Sequence, residues 1–150
     1  MRAVRSLLVL ALFGMAITAW AAPAIYAGPT SSELERVAAT ELQRLLYAAT
    51  GNLYPIETLE AVPVGAQGIV LGTPETLPRT AAAWPFGLEE PGADGYVLYS
   101  DRADNGLVIV AGKTAGAVQN GAYGLLEKFG FGFYTSQETL PDRFADIPAL

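Results

Sequence analysis

Apolar positions along the chain follow two periods, and each period predicts an element. In residues 107–136 (LVIVAGKTAGAVQNGAYGLLEKFGFGFYTS), Leu107, Val108, Ile109 and Val110 form a continuous apolar run. Such a run fits a strand buried on both faces. Gly112 ends it, and Thr114 offers an N-cap. Val118, Ala122, Leu125, Leu126 and Phe129 then fall at i, i+4, i+7, i+8 and i+11, one face of a 3.6-residue period. Lys128 lies in the last turn, where a cation complements the helix dipole. Gly130 is the expected stop, and Phe131, Phe133 and Tyr134 open another strand. A second helix is predicted over residues 32–50. Ser32 and Glu35 have capping-box spacing, and Glu33 and Glu35 put negative charge in the first turn. Leu34, Val37, Ala38, Leu42, Leu45, Leu46 and Ala49 form its apolar stripe, with Glu41 at the edge and Gly51 as the stop. Each large side chain of that stripe is worth roughly 1.5–3 kcal/mol on burial, so the helix is expected to dock on a sheet.

Shorter segments supply the other strands. Residues 23–28 (PAIYAG) form a first strand closed by Gly28 and Pro29. Leu53, Tyr54, Ile56 and Thr58 alternate loosely, and Pro55 confines them to an edge or an irregular position. Ile69, Val70 and Leu71 make a very short buried strand stopped by Gly72. Residues 73–92, with Pro74, Pro78, Pro85, Pro91 and Gly87, form a long connection containing one helical turn around residues 77–84. In it Trp84 and Phe86 cover a core edge. Residues 95–100 (GYVLYS) are a strand, joined to Leu107 by a hairpin turn at Asn105-Gly106. The predicted order is β-α-β-β-β-β-α-β. The expected fold is α/β (α+β), a two-layer sandwich of a small mixed sheet with two amphipathic helices on one face.

The N-terminus changes the domain count. Arg2 and Arg5 precede an apolar stretch of about fifteen residues, shorter than the roughly 20 that span a bilayer. Ala19 and Ala21 suit a cleavage site after Ala21. We expect a signal peptide over residues 1–21, with an uncleaved anchor as the alternative. A domain over residues 22–136 and a Pro-punctuated, linker-like tail over residues 137–150 follow. Localisation is expected to be secreted or periplasmic. With Arg2 and Arg5 removed, 7 basic residues face 15 acidic ones, a net charge of −8. That balance argues against nucleic acid as a partner, and no membrane association is expected after cleavage. The chain has no Cys and no His. Disulfides, thiolate metal sites, Ser-His-Asp triads and His-based zinc sites are therefore excluded.

Each remaining candidate for chemistry competes with a structural role. Gly112, Lys113 and Thr114 place G-K-T at a strand-to-helix junction. A phosphate-binding loop also needs a Gly five positions before Gly112, where Leu107 stands inside the strand. The Gly turn is thus expected to be structural. Glu89, Glu90 and Asp94 are the densest acidic group and read as a solvated loop. Asp94, Asp101, Glu127 and Glu138 sit near predicted element ends and are candidates for a glycosidase-type carboxylate pair. Tyr96, Tyr99, Tyr123, Phe131, Phe133 and Tyr134 could form a sugar-facing platform, although their spacing fits core packing better. We assign no catalytic, cofactor-binding or metal-ligating residue and expect no cofactor.

Four segments together resemble a known domain. They are ERVAATELQRLLYAATGNLYPI (35–56), GIVLG (68–72), DGYVLYS (94–100) and LVIVAGKTAGAVQNGAYGLLEKFGFGFY (107–134). Their order and spacing resemble the small N-terminal α/β domain preceding the catalytic barrel of several secreted glycoside hydrolases, among them β-N-acetylhexosaminidases and α-glucuronidases. The resemblance covers residues 24–134. It implies a zincin-like but metal-free, non-catalytic domain whose partner is a catalytic barrel. The ETLP segment at residues 138–141 resembles the start of the linker to that barrel, which the 150 residues do not include. The expectation is a non-catalytic accessory domain for carbohydrate degradation. The alternatives are a free-standing carbohydrate-binding module using Trp84, Tyr99 or Tyr134, and a small enzyme with an unrecognised carboxylate pair.

Overall fold

A computed structural model describes residues 22–80, 92–101, 106–134 and 137–141. The segment expected to be a signal peptide, Trp84, Phe86, Glu89, Glu90 and the turn at Asn105 lie outside them. The elements run β1 (Ala24–Ala27), α1 (Glu33–Thr50), β2 (Ile56–Thr58), β3 (Gly68–Gly72), β4 (Tyr96–Asp101), β5 (Leu107–Gly112), α2 (Ala115–Lys128), β6 (Gly132–Tyr134) and β7 (Gln137–Thr139). The fold is a mixed α/β sandwich. The main sheet has five strands in the order β2-β1-β3-β5-β4. Its first four are parallel, and β4 closes the edge as an antiparallel hairpin partner of β5. None of the described helices is long and apolar enough to cross a membrane.

Register sends alternate residues to opposite faces. Ile25, Ile69, Leu71, Val108 and Val110 pack on the helix side against Leu42, Leu45 and Leu46 of α1 and Val118, Leu125 and Leu126 of α2. Tyr26, Val70, Ile109 and Ala111 form a second core on the far face with Val62 and Ala66. The chain therefore crosses from β2 to β3 behind β1, on the face opposite the helices. That second core explains why β3 and β5 read as unbroken apolar runs. Pro55 does confine β2 to the sheet edge, where all three of its residues are exposed. Tyr54, expected within that strand, is instead buried just before it.

Both helices are capped as their sequences predict. The Ser32–Glu35 capping box is complete. Thr114 accepts from the Ala117 N–H at 3.1 Å. At the end of α2, Gly130 has φ +93°. The Phe131 N–H bonds to the Leu126 carbonyl and the Gly130 N–H to that of Glu127, both at 3.0 Å. These two bonds define a Schellman motif.

Two expectations need correction. Leu34 and Val37, assigned to the buried stripe of α1, are 38% and 43% exposed. The buried set is Glu35, Ala38, Ala39, Leu42, Leu45 and Leu46. The burying face is thus rotated toward a carboxylate and away from two aliphatic residues, because the helix start rests on a polar contact described below. The order of elements also does not stop at β6. Residues Gln137–Thr139, in the segment read as a linker-like tail, pair antiparallel with β6 in a separate two-stranded sheet.

Candidate functional site

In open α/β sheets, ligands bind outside the carboxyl ends of the strands, where neighbouring strands send their connections in opposite directions. Here that place lies between β1 and β3. The chain leaves β1 through α1 toward β2, and leaves β3 toward the β4–β5 side. The crevice is filled by the protein itself. After β3 the chain folds into a turn, in which the Thr76 and Leu77 N–H groups both bond to the Thr73 carbonyl, at 3.1 and 2.8 Å. The turn packs so closely on β1 that a Cβ added to Gly28 would lie 1.8 Å from the Thr76 carbonyl oxygen.

Glu35 holds this turn in place. Its side chain is 1% exposed. One carboxylate oxygen accepts from the Ser32 N–H at 2.6 Å. The other accepts from the Thr73 N–H at 3.1 Å and from the Thr76 hydroxyl. Thr76 Oγ1 in turn accepts from the Thr73 N–H at 2.8 Å. Burial pushes the Glu35 carboxyl up. The bonds from Thr76, Ser32 and Thr73 outweigh burial and hold it below its ordinary range. The capping-box spacing marked Glu35 in the sequence. Its threonine partners lie 38 and 41 residues away, and no local pattern connects them to it.

Beside the turn is an open depression of about 330 Å³, lined by Pro29, Thr30, Leu59, Glu60, Thr76, Leu77 and Arg79 among others. Thr30, Glu60, Glu75 and Arg79 on its walls are all exposed. Arg79, one of its lining residues, joins Ala61 in a short parallel β-bridge.

The G-K-T junction has a packing explanation. A Cβ on Gly112 would lie 2.5–2.6 Å from Val118 N and from Ala117, so glycine lets α2 start directly on the end of β5. Lys113 is exposed. The Thr114 hydroxyl donates to the Ala93 carbonyl at 3.0 Å while capping the helix. Thr114→Ala should therefore cost about 1 kcal/mol of stability in chemical denaturation. An effect close to zero would contradict the capping role.

Of the four carboxylate candidates, Asp94 and Glu127 are not gathered into one cleft. Asp94 adjoins Ala93 at the start of α2, and Glu127 lies thirteen residues beyond Thr114 on that helix. The helical rise separates those ends by about 20 Å, beyond the roughly 5–10 Å of glycosidase pairs. Both residues are exposed. Asp101 pairs through its backbone with Leu107 at the sheet edge. Glu138 is gripped by Arg44, with Nη1–Oε2 at 3.1 Å and Nη2–Oε1 at 2.9 Å. Arg44 also bonds to Glu41 at 2.8 Å. The Arg44 bond holds the Glu138 carboxyl below its ordinary value. Among the described residues, no group of three or more acidic side chains could hold a metal ion.

The described aromatic candidates are engaged in packing. Tyr96 lies across the shelf made by Gly121 and Gly124 of α2, where added Cβ atoms would meet its ring. Tyr99 packs on the far-face core, and Phe131 is buried in the helix-side core. Tyr123 and Phe133 meet edge to face, with centroids 4.9 Å apart and planes at 79°. Burial raises the Tyr123 phenol, and Glu41 and Glu138 add to the rise against Arg44. Tyr47, not among the candidates, is 54% exposed on α1. No family model matches the chain, and no curated protein matches its sequence.

Proposed function

We propose that this chain is a non-catalytic accessory domain of the kind that precedes the catalytic barrel in carbohydrate-degrading glycoside hydrolases, acting after export. The observation that carries this reading is the closed crevice. The position where an α/β sheet of this topology would present a ligand is occupied by the turn of residues 73–77, locked by the buried Glu35. A fold whose usual binding position is filled by its own backbone serves as a scaffold. The separation of Asp94 from Glu127 and the pairing of Glu138 with Arg44 support the same reading. So does the resemblance of residues 24–134 to such domains. Its partner is then a catalytic barrel that contributes the acid and base carboxylates.

The purified protein should release no nitrophenol from aryl glycosides, including N-acetylglucosaminides and glucuronides. Turnover that persists through purification would overturn the reading. Titration with chitin and xylan oligosaccharides in the same assay series separates the second reading, a carbohydrate-binding module. The exposed ring of Tyr47 favours that alternative. Saturable binding lost in Tyr47→Ala would replace the scaffold with it.

A further inference from the structure

The two edges of the main sheet are finished differently. At one edge, β2 has three residues, follows Pro55 and carries Glu57 at its centre. Short length, proline and charge are the means by which sheets keep an edge from pairing with another chain. At the other edge, β4 has six residues, YVLYSD, with no proline and no charged residue before Asp101. It pairs with β5 along its whole length, and no described strand lies on its outer side. Tyr96 is 38% exposed, and Val97, Leu98 and Tyr99 are half-buried. We propose that β4 is the interface for a second copy of this chain. The two β4 strands pair antiparallel about a twofold axis and join the two five-stranded sheets into one.

The sequence of β4 favours its own copy as the occupant and sets the register. A twofold axis perpendicular to the sheet keeps both helix layers on one side, so opposed residues must point to the same face. Tyr96 and Leu98 face the helices, and Tyr99 faces the far core. Two registers meet this condition and overlap most of the strand, with the axis at Leu98 or at Tyr99. With the axis at Leu98, that residue meets its own copy, Val97 meets Tyr99 on both sides of the axis, Tyr96 meets Ser100 and Gly95 meets Asp101. Aromatic and β-branched residues opposed across strands are stabilising, and no like charges meet. With the axis at Tyr99, Val97 would face Asp101 and Leu98 would face Ser100, setting apolar against polar residues. Leu98 is therefore the axis. The same operation centred on β2 would set Glu57 against Glu57, which is destabilising. The inference is independent of the accessory-domain reading.

The chain contains no cysteine, so a single introduced thiol can form a disulfide only between copies. Opposed residues of an antiparallel pair have Cα atoms about 4.5–5.5 Å apart, inside the range of roughly 4.4–6.8 Å that a disulfide bridges. The test oxidises the full chain with diamide, as Leu98→Cys and, for the other edge, as Ile56→Cys. Leu98→Cys should form the covalent dimer at least about tenfold faster, because pairing raises the effective concentration of the facing thiols. Equal rates for the two variants would refute the interface. Sedimentation equilibrium of the unaltered chain, from about 10 μM to about 1 mM, covers the range in which a weak interface shows. The mass should rise from monomer toward dimer with concentration. A chain that stays monomeric to the top of that range overturns the proposal, whatever the variants do.

Discussion

Gly28→Ala is expected to destabilise the domain by about 3 kcal/mol, the upper part of the range for overpacking a close contact. The added methyl would sit 1.8 Å from the Thr76 carbonyl oxygen and 3.0 Å from its carbonyl carbon. The obstacle is backbone, so no side-chain rotamer change relieves it. Either the end of β1 or the turn of residues 73–77 must move by more than 1 Å, and either movement pulls Thr73 and Thr76 from Glu35. Chemical denaturation of the purified variant gives the value. A loss under about 0.5 kcal/mol would mean that the turn yields freely, and the crevice would then not be firmly closed.

Glu35→Gln should cost about 2–3 kcal/mol at neutral pH, the scale of hydrogen bonds to a charged acceptor. The carboxylate accepts from Ser32, Thr73 and Thr76 together, and an amide must turn one donor toward another. The pH dependence separates this cause from a simple packing defect. The folded-state pKa of Glu35 lies below its ordinary value of 4.5. Its stabilising contribution is therefore fully present above about pH 4.5. That contribution disappears as pH falls through the folded-state value, because the folded protein then takes up the proton. The stability gap between wild type and Glu35→Gln should be widest at neutral pH and close in acid. A gap that stays constant down to acid pH would sink the assignment. Gly28→Ala and Glu35→Gln damage the same contact, so the double variant should lose less than the sum of the two.

Much of the local structure was legible because it depends on neighbours in sequence. The capping box at Ser32 and Glu35, the Thr114 cap and the stop at Gly130 involve residues within a few positions of each other. The face of α2 through Val118, Ala122, Leu125, Leu126 and Phe129 was read correctly, since a sheet on one side and α1 on the other demand the same stripe. The face of α1 was read with an error at its start. Leu34 and Val37 satisfy the same period as Ala38 and Leu42, and apolar character alone ranks them above Glu35. What reverses the ranking is a set of donors brought from the end of β3.

The candidate site was less legible than the fold. Glu138 stood out for its place near an element end, yet its role is set by Arg44, 94 residues earlier. Tyr96, Tyr99, Tyr123 and Phe133 were seen as either platform or core, and packing against Gly121 and Gly124, against the far-face core and of the last two rings on each other decided between the two. β6 was expected from Phe133 and Tyr134, but β7 escaped the sequence because Gln137, Glu138 and Thr139 are all polar and show no alternation.

By itself, the sequence determined the approximate places of both helices and of the first six strands, which helix faces carry apolar residues, and that cysteine and histidine chemistry is impossible. Those properties follow from short-range geometry and composition. Only the tertiary structure decided the strand order β2-β1-β3-β5-β4, the crossing behind β1 and the closing of the crevice by the turn after β3. Such features depend on which distant segments meet. A buried carboxylate becomes favourable only when donors from another part of the chain surround it, and no period in the sequence records that meeting.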